Sequence, residues 1–265
     1  MLRLLVLMLI LFGTGLSAWA QQPFFTDDAD VTSKGRFHFE LSNQFSFLQD
    51  TAFPARQQNA LVYQLNYGLR DELEISIDSP YLVIINAPQT ISPRIAAGVG
   101  DTNVAVKWNF RRERDRSRWP ALTIAYAVEV PTGEISTQLG SGVFDYRLIA
   151  IAQKTLSRGV KLRINQGVLF SGNTLTGVVG LRAQGFVYLA GVSLVRQFTR
   201  RFSLGVELTT AQDPSGEEAS RAALQQQVGG KYGIRENLTI DFGIAFGQLG
   251  ESPRVGLQAG LSIDF

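Results

Sequence analysis

The sequence predicts an all-β protein that closes as a transmembrane, up-and-down antiparallel β-barrel of about twelve strands. Three observations predict this class: a carboxyl-terminal strand that ends on Phe265, a secretory leader at the amino terminus, and alternating apolar and polar residues through most of the chain between them. No apolar run after the leader is long enough for a membrane helix. A membrane protein of this composition must therefore cross with a closed sheet, which satisfies every backbone donor within the sheet itself.

The last nine residues alternate strictly. Apolar side chains occupy every odd position from Leu257 to Phe265, and small or polar side chains occupy the even positions between them. Such a strand has one face for lipid and one for water. The ending also resembles the assembly signal of outer-membrane barrels, in which a terminal Phe is typical. It predicts that the barrel assembly machinery reads Phe265, although an exported soluble β-protein could also end on such an edge strand.

The amino terminus predicts a cleaved signal peptide over residues 1–20. Arg3 supplies a positive start, an apolar run follows, and Ala18-Trp19-Ala20 has the small-x-small pattern of a cleavage site. Residues 21–34 then form a short segment, either periplasmic or inserted into the lumen, and residues 35–265 form the barrel. An uncleaved membrane anchor is disfavoured because the apolar run is too short to span a bilayer.

Charge and cysteine content exclude other classes of protein. The 25 basic and 23 acidic residues give a formal net charge of +2, which does not indicate a nucleic-acid partner. The chain has no cysteine, so neither a disulfide nor a lipid-modified amino-terminal Cys is available. A closed ladder of backbone hydrogen bonds remains as the way to hold such a chain together in lipid.

Twelve segments with a period of two follow Gly35. They cover residues 37–47, 61–69, 73–83, 103–110, 122–130, 144–150, 160–170, 186–198, 202–209, 222–232, 238–246 and 257–265. The sixth is less regular because Ile149 and Ile151 fall on its polar face. The tenth is weak because three glutamines, Gln225 to Gln227, interrupt the alternation. It is accepted mainly because single-chain bacterial barrels have even strand numbers.

The connectors between these segments alternate between short and long. Short turns are expected on the periplasmic side and long loops outside the cell. The long connectors are rich in Gly, Pro, Ser and Thr and cover residues 49–57, 86–100, 131–142, 171–181 and 211–220. We expect the loops at 86–100 and 131–142 to constrict the mouth of the barrel. Closure requires the last strand to pair with the first along Phe37 to Phe47.

The polar face of the strands predicts a lumen that carries charges of both signs. The candidates are Glu40, Glu74, Lys107, Glu129, Asp145, Arg147, Lys161, Arg163, Glu207, Lys231 and Asp241. Such charges must pair with each other whether or not a solute passes. Twelve strands lie between small barrels packed with side chains and porins of about 16 to 18 strands with an aqueous channel. A narrow polar pore and a closed, salt-bridged interior both remain open.

The sequence gives little support for catalysis. His38 is the only histidine, and its phase places it in the lumen at the start of the first strand. The membrane phospholipases on twelve strands need a His and a Ser that face lipid. The glycine turns at 98–101 and 140–142 open no helix, so they are not phosphate loops. We therefore expect no catalytic residue, no metal and no cofactor.

Several short motifs resemble a known family. They are Gly98-Val99-Gly100-Asp101-Thr102 with the strand that follows, Pro120-Ala121-Leu122, and Glu129-Val130-Pro131-Thr132-Gly133. Together they resemble an outer-membrane transporter family labelled as a component of the phenol meta-degradation pathway, and Pro23 to Asp28 looks like the start of its mature chains. The resemblance implies a barrel distantly like the long-chain fatty acid and aromatic-hydrocarbon channels. The long amino-terminal plug of those channels is absent here.

The sequence thus predicts a non-enzymatic channel in the bacterial outer membrane. It would contact membrane lipid and the assembly machinery, and it would pass small solutes, aromatic or hydrophobic ones included, through a narrow polar lumen. The alternative is a structural or surface-binding barrel with a closed lumen. The mixed lumen charges and the inward phase of Ile149 and Ile151 favour that alternative.

Overall fold

The computed structural model describes residues 23–88, 93–114, 118–157, 159–171, 185–212, 222–249 and 252–265. The predicted signal peptide lies outside the described residues. So do parts of the predicted loops at 86–100, 171–181 and 211–220. Among the residues that are described, no helix is long and apolar enough to cross a membrane.

One antiparallel sheet contains all the strands of the described residues. They are β1 (Phe37–Phe47), β2 (Ala55–Arg70), β3 (Leu73–Asn86), β4 (Ile95–Val99), β5 (Thr102–Arg111), β6 (Ala121–Val130), β7 (Asp145–Ser157), β8 (Val160–Ser171), β9 (Gly185–Gln197), β10 (Phe202–Gln212), β11 (Ala222–Arg235), β12 (Leu238–Gly247) and β13 (Val255–Asp264). Two single-turn 3-10 helices, Asp50–Ala52 and Ile135–Thr137, lie in connectors. The elements follow one another around the barrel in chain order.

The sheet closes on itself through its first and last strands. β1 pairs with β2 on one side and with β13 on the other, in a register that runs from His38 opposite Asp264 to Phe47 opposite Val255. Phe37 and Phe265 exchange two backbone hydrogen bonds of 2.8 and 3.0 Å. The predicted pairing of the last strand with the first is therefore confirmed.

β4 and β5 together act as one barrel strand. β3 pairs with β4 through Tyr81 to Ile85 and with β5 through Leu73 to Asp78, so that the break falls at residues 100–101. Counted in this way, the described residues form the twelve barrel strands that the sequence predicts. The prediction that residues 86–100 form only a loop is wrong in its second half. β3 extends to Asn86, and its backbone groups there find partners in β4.

The weak tenth segment is a regular strand, β11. It pairs with β10 and β12 along most of its length. The three glutamines do not interrupt the alternation, because Gln225 and Gln227 point inward and are buried while Gln226 is exposed. Polar residues are normal on the lumen face, so only the middle glutamine departs from the pattern.

The outer surface of the barrel is apolar and its inner surface is polar. On β5 the exposed apolar residues are Val104, Val106, Trp108 and Phe110, while Lys107 and Asn109 are buried. A soluble protein would show the opposite distribution. Aromatic pairs lie near both ends, with Phe37–Phe265 and Trp108–Phe110 at one end and Phe170–Phe186 at the other. The exterior is that of a membrane-spanning barrel with two aromatic girdles.

The barrel encloses the described residues that precede β1, from Pro23 onward. We call Pro23 to Lys34 the inner segment. Among the described residues, a single isolated β-bridge joins it to the sheet, between Lys34 and Gly68. Strand glycines leave room for it, since a Cβ at Gly191 would come within 2.6 Å of the side chain of Thr26. We call the end with β1's start and β13's end the periplasmic end, following the topology of bacterial barrels, and the opposite one the outer end.

Candidate functional site: the lumen

Buried ion pairs hold the inner segment inside the lumen. The Asp28 carboxylate lies 3.2 Å from Nη2 of Arg163 on β8 and 3.6 Å from Nζ of Lys107 on β5. Lys107 also lies 2.8 Å from Oδ1 of Asp27. Asp28 and both bases are almost fully buried. Charges removed from water in this way are tolerated only when they are paired, so these contacts make the inner segment part of the barrel interior.

The backbone of the inner segment is also satisfied by barrel side chains. The Glu207 carboxylate accepts hydrogen bonds from the amides of Phe25 and Thr26, and the Glu74 carboxylate accepts one from the amide of Thr32 at 2.6 Å. The hydroxyl of Thr123 donates to the carbonyl of Ala29 at 2.7 Å. A buried segment outside any sheet needs such partners, because unpaired backbone groups are costly away from water.

The predicted lumen residues all lie on strands, and most of them are buried. Glu40, Glu74, Lys107, Asp145, Arg163, Glu207, Lys231 and Asp241 are buried, while Glu129, Arg147 and Lys161 are half-buried. Several of them interact electrostatically, Lys231 with Arg163 and Glu40, and Arg163 with Glu207. Glu74, Lys107, Arg163 and Glu207 bind the inner segment, and Lys231 lies opposite Asp241 in the register of β11 and β12.

His38 lies inside the barrel at the seam between β1 and β13. Its Nδ1 is 2.6 Å from the carboxylate of Asp264, and its Nε2 is 2.8 Å from that of Glu40. Both ring nitrogens therefore contact carboxylates, and the contact with Asp264 links β1 to β13, whereas Glu40 lies on β1 itself. Within the described part of the chain, no group of three or more His, Cys, Asp or Glu residues could hold a metal ion.

The outer end of the lumen is apolar. Leu82 and Ile84 point inward from β3 and pack with Leu48, Ala55, Ala96 and Leu139. Leu139 belongs to the connector between β6 and β7, which folds over the mouth. Asp101 fixes this connector, because its carboxylate accepts hydrogen bonds from the amides of Gly133 at 2.9 Å and Ser141 at 2.6 Å.

Three cavities follow one another along the barrel axis. The outer cavity, of about 450 Å³, is lined mostly by apolar groups, among them Phe25, Ile149 and Leu189. A middle cavity of about 190 Å³ carries Asp27, Glu74, Asp78 and Lys107, and it shares Arg147 and Ile149 with the outer cavity. A periplasmic cavity of about 720 Å³ lies beyond the inner segment, beside Asp30 and Lys161. The middle and outer cavities thus meet at two side chains of β7.

The connector between β5 and β6 borders the periplasmic cavity. Its Glu113 accepts hydrogen bonds from the side chain of Lys154 and from the amide and hydroxyl of Thr155. Partial burial raises the pKa of Glu113, but these hydrogen bonds outweigh it and hold the pKa below its usual range. The carboxylate therefore stays charged at neutral pH and fixes the connector against β7.

Sequence reasoning missed the acids of the inner segment. Asp27 contacts Lys107, and Asp28 contacts both Lys107 and Arg163. Asp30 contacts Lys161. The available signal was the run Asp27-Asp28-Ala29-Asp30 itself, an acidic cluster directly ahead of a barrel whose lumen carries buried bases. Ile151, whose inward phase looked irregular, is explained by the same segment because it packs with Ala29 and Ala121.

The fold is similar to those of solved outer-membrane barrels. The COG4313 outer membrane channel from Pseudomonas putida F1 is 15% identical, with a TM-score of 0.69 over 90% of this chain and 98% of that one. The NanC porin is 10% identical, with a TM-score of 0.59 over 85% and 98%. The KdgM porin in complex with disordered oligogalacturonate is 10% identical, with a TM-score of 0.54 over 87% and 99%. The chain therefore has the fold of an outer-membrane β-barrel.

Sequence comparison adds the family. None of the curated proteins matches the chain significantly. The family described as "Putative MetA-pathway of phenol degradation" matches residues 20–265, which include the inner segment and every strand of the barrel. The chain belongs to this family.

Proposed function

We propose that the protein is a channel of the bacterial outer membrane that lets small apolar or aromatic solutes pass through its lumen. The observation that carries the proposal is the outer cavity of about 450 Å³ inside the barrel wall, with its mostly apolar lining. A barrel that served only as a scaffold would fill this space with side chains, because protein interiors are close-packed. The volume lies within the usual range of small-molecule sites.

The route runs from the outer end to the periplasmic end. A solute enters beside Leu139, occupies the outer cavity, passes Arg147 and Ile149 into the middle cavity, and leaves past the inner segment. The apolar walls favour apolar solutes, because a polar solute would lose hydrogen bonds to water there. No residue performs chemistry along this route.

Uptake by vesicles tests the proposal. Vesicles with lipopolysaccharide in the outer leaflet are suitable, since phospholipid bilayers alone leak apolar solutes. Ala223→Phe fills the outer cavity and should abolish the protein-dependent uptake of benzyl alcohol, whereas Ala222→Phe, on the neighbouring position that does not line the cavity, should leave it unchanged. A folded wild-type protein that admits no solute would overturn the proposal.

A closed structural barrel is the second candidate. The buried ion pairs between the inner segment and β5 and β8 favour it, because they occupy the centre of the lumen. Such a barrel would give no uptake, and Ala223→Phe would change only its stability. The same vesicle experiment therefore separates the two candidates.

We propose no enzymatic role for the lumen. The similar solved structures include channels and porins rather than enzymes. Both ring nitrogens of His38 contact carboxylates, so neither nitrogen is free to take a proton from a nucleophile. His38→Gln should leave solute uptake intact if folded barrels are compared.

We further propose that residues 1–20 are cleaved and that the barrel assembly machinery reads the last strand. The ring of Phe265 is half-exposed and stacks on that of Phe37, with centroids 5.6 Å apart. Deletion of Phe265 should reduce the amount of heat-modifiable, folded barrel in the outer membrane. Wild-type amounts of folded barrel after the deletion would argue against this role.

A further inference from the structure

We propose that Arg147 and the outer cavity form a binding site for apolar or aromatic monocarboxylates. The inference rests on the proposed function, because it names the class of solute that the channel selects. The guanidinium would hold the carboxylate, and the apolar walls of the outer cavity would hold the hydrocarbon part. Arg147 would thus be a specificity-determining residue at the junction of two cavities.

Arg147 is the only charged residue among the described residues that line the outer cavity. The other lining residues are apolar, such as Ile149, Leu189 and Pro253, or neutral and polar, such as Thr26 and Asn165. A single cation in a mostly apolar cavity attracts one negative charge. It disfavours cationic solutes, because the two positive charges would repel each other where little water screens them.

The guanidinium of Arg147 is not committed to an ion pair. In the described parts of the chain no carboxylate lies within 4.0 Å of it, whereas Lys107 and Arg163 are both held by Asp28. Asp78, an acid of the neighbouring middle cavity, interacts electrostatically with Arg147 without forming a contact ion pair, and its carboxylate accepts a hydrogen bond from Asn103 at 3.1 Å. The donors of Arg147 are therefore available to a ligand.

A planar monocarboxylate suits this arrangement. Guanidinium donors match the two oxygens of a carboxylate, and such charge-assisted pairs are the strong ones in proteins. The hydrocarbon part then lies toward Ile149 and Leu189. A dianion such as a phosphate monoester fits less well, because Asp27, Glu74 and Asp78 line the cavity immediately beyond Arg147.

The acids of the middle cavity also make the site weak enough for transport. A bound carboxylate faces Asp27, Glu74 and Asp78 on the periplasmic side. Besides Arg147, the one base among the described residues that line this cavity is Lys107, which is paired with Asp27 and Asp28. Conduction requires binding that is favourable enough to enter and weak enough to leave. The position of Arg147 between an apolar and an acidic cavity meets both conditions.

Binding of benzoate to the purified full-length protein in detergent tests the site, with benzamide as the neutral probe of similar shape. Saturation-transfer NMR titrations should give tighter binding of benzoate than of benzamide. Arg147→Gln should weaken benzoate binding about ten-fold, as loss of one charged hydrogen-bonded pair does, and leave benzamide unchanged. Arg147→Lys should retain part of the preference, which guards against a folding defect.

Lys161→Gln is the matched control, because it removes one positive charge from the same lumen on the periplasmic side. It should leave benzoate binding unchanged. Equal binding of both probes by wild type, or equal benzoate binding by wild type and Arg147→Gln, would overturn the inference. Vesicle uptake separates the binding site from the proposed function. Entry of benzyl alcohol without a preference for benzoate over benzamide would refute only the binding site. A benzoate site that depends on Arg147, without any solute uptake, would refute only the channel.

Discussion

The two halves of the lumen are built from the same alternating strands but are filled differently. The outer half holds an open cavity whose surface is mostly apolar, and Leu82, Ile84 and Leu139 pack together at the same end of the barrel. The periplasmic half contains the inner segment, which Lys107, Arg163, Glu74 and Glu207 hold in place. The difference shows that the period of two determines which side chains point into the lumen. Whether the lumen is closed at a given level depends on what those side chains contact inside the barrel.

Each half follows from what its side chains need. Buried charges require partners, so the charged half excludes water only when the acids of the inner segment lie between its bases. Apolar side chains need only exclusion from water, so the outer half can keep an empty space that an apolar solute fills. Three substitutions test this contrast.

We expect the largest effect from Asp28→Asn in the periplasmic half. It removes the carboxylate that Arg163 and Lys107 share, and breaking a buried pair costs about 3–5 kcal/mol. The inner segment should detach while the barrel stays folded. Hydrogen exchange at the amides of residues 24–33 should become faster by the factor that corresponds to a loss of about 3–5 kcal/mol.

Asp30→Asn is the control for that substitution. Asp30 is half-exposed and lies 3.7 Å from Lys161, itself only half-buried, and exposed pairs contribute little. Exchange in the inner segment should hardly change. Equal effects of the two substitutions would mean that the segment is not held by its buried charges.

Leu139→Ala should loosen the outer half. Leu139 is buried against Leu82 and Ile84, and such a truncation costs about 2–5 kcal/mol. Exchange at the amides of Gly133 and Ser141 should become faster, while exchange in the inner segment stays as in wild type. Ile135→Ala, in the same connector but 60% exposed, should have little effect. Equal loosening of both halves by Leu139→Ala would contradict their independence.

Gly191→Ala should have the smallest effect, at the boundary of the two halves. Its new Cβ would lie 2.6 Å from Cγ2 of Thr26, and overpacking of this kind costs about 1–3 kcal/mol. The melting temperature should fall, and the amide of Thr26 should exchange faster. Gly256→Ala is the matched control, because its nearest neighbour is the flexible amide of Gln44 at 3.3 Å. A fall in melting temperature as large for Gly256→Ala would exclude the inner segment as the cause.

The sequence predicts the barrel well because alternation is a local property. Each strand except β4 shows its lipid face in a stretch of about ten residues, and even β11, whose alternation looks weak in the sequence, keeps Gln225 and Gln227 inward. β4 was missed because its five residues, Ile95–Val99, are too short and too uniformly small and apolar to display a period. Its pairing depends on the extension of β3, which is a non-local property.

The site could be predicted only in part. The alternation of the strands alone places Lys107, Arg147 and Arg163 in the lumen. It does not reveal that Asp28 pairs with Lys107 and Arg163 but not with Arg147. That outcome depends on a segment that crosses the lumen, 135 residues away in the chain from Arg163. The apolar mouth was visible in the run Tyr81-Leu82-Val83-Ile84-Ile85, which is apolar on both faces and indicates burial on both sides.

Single-channel conductance tests most directly the claim that the lumen is the path and that the inner segment narrows it. Full-length protein should be compared in planar bilayers with a deletion of residues 23–33, after heat-modifiable migration has established that both barrels are folded. Full-length protein should show a small conductance, and the deletion should show one several times larger, because the cavities on both sides of the segment would become continuous. The same conductance in both proteins, or none in either, would contradict the account.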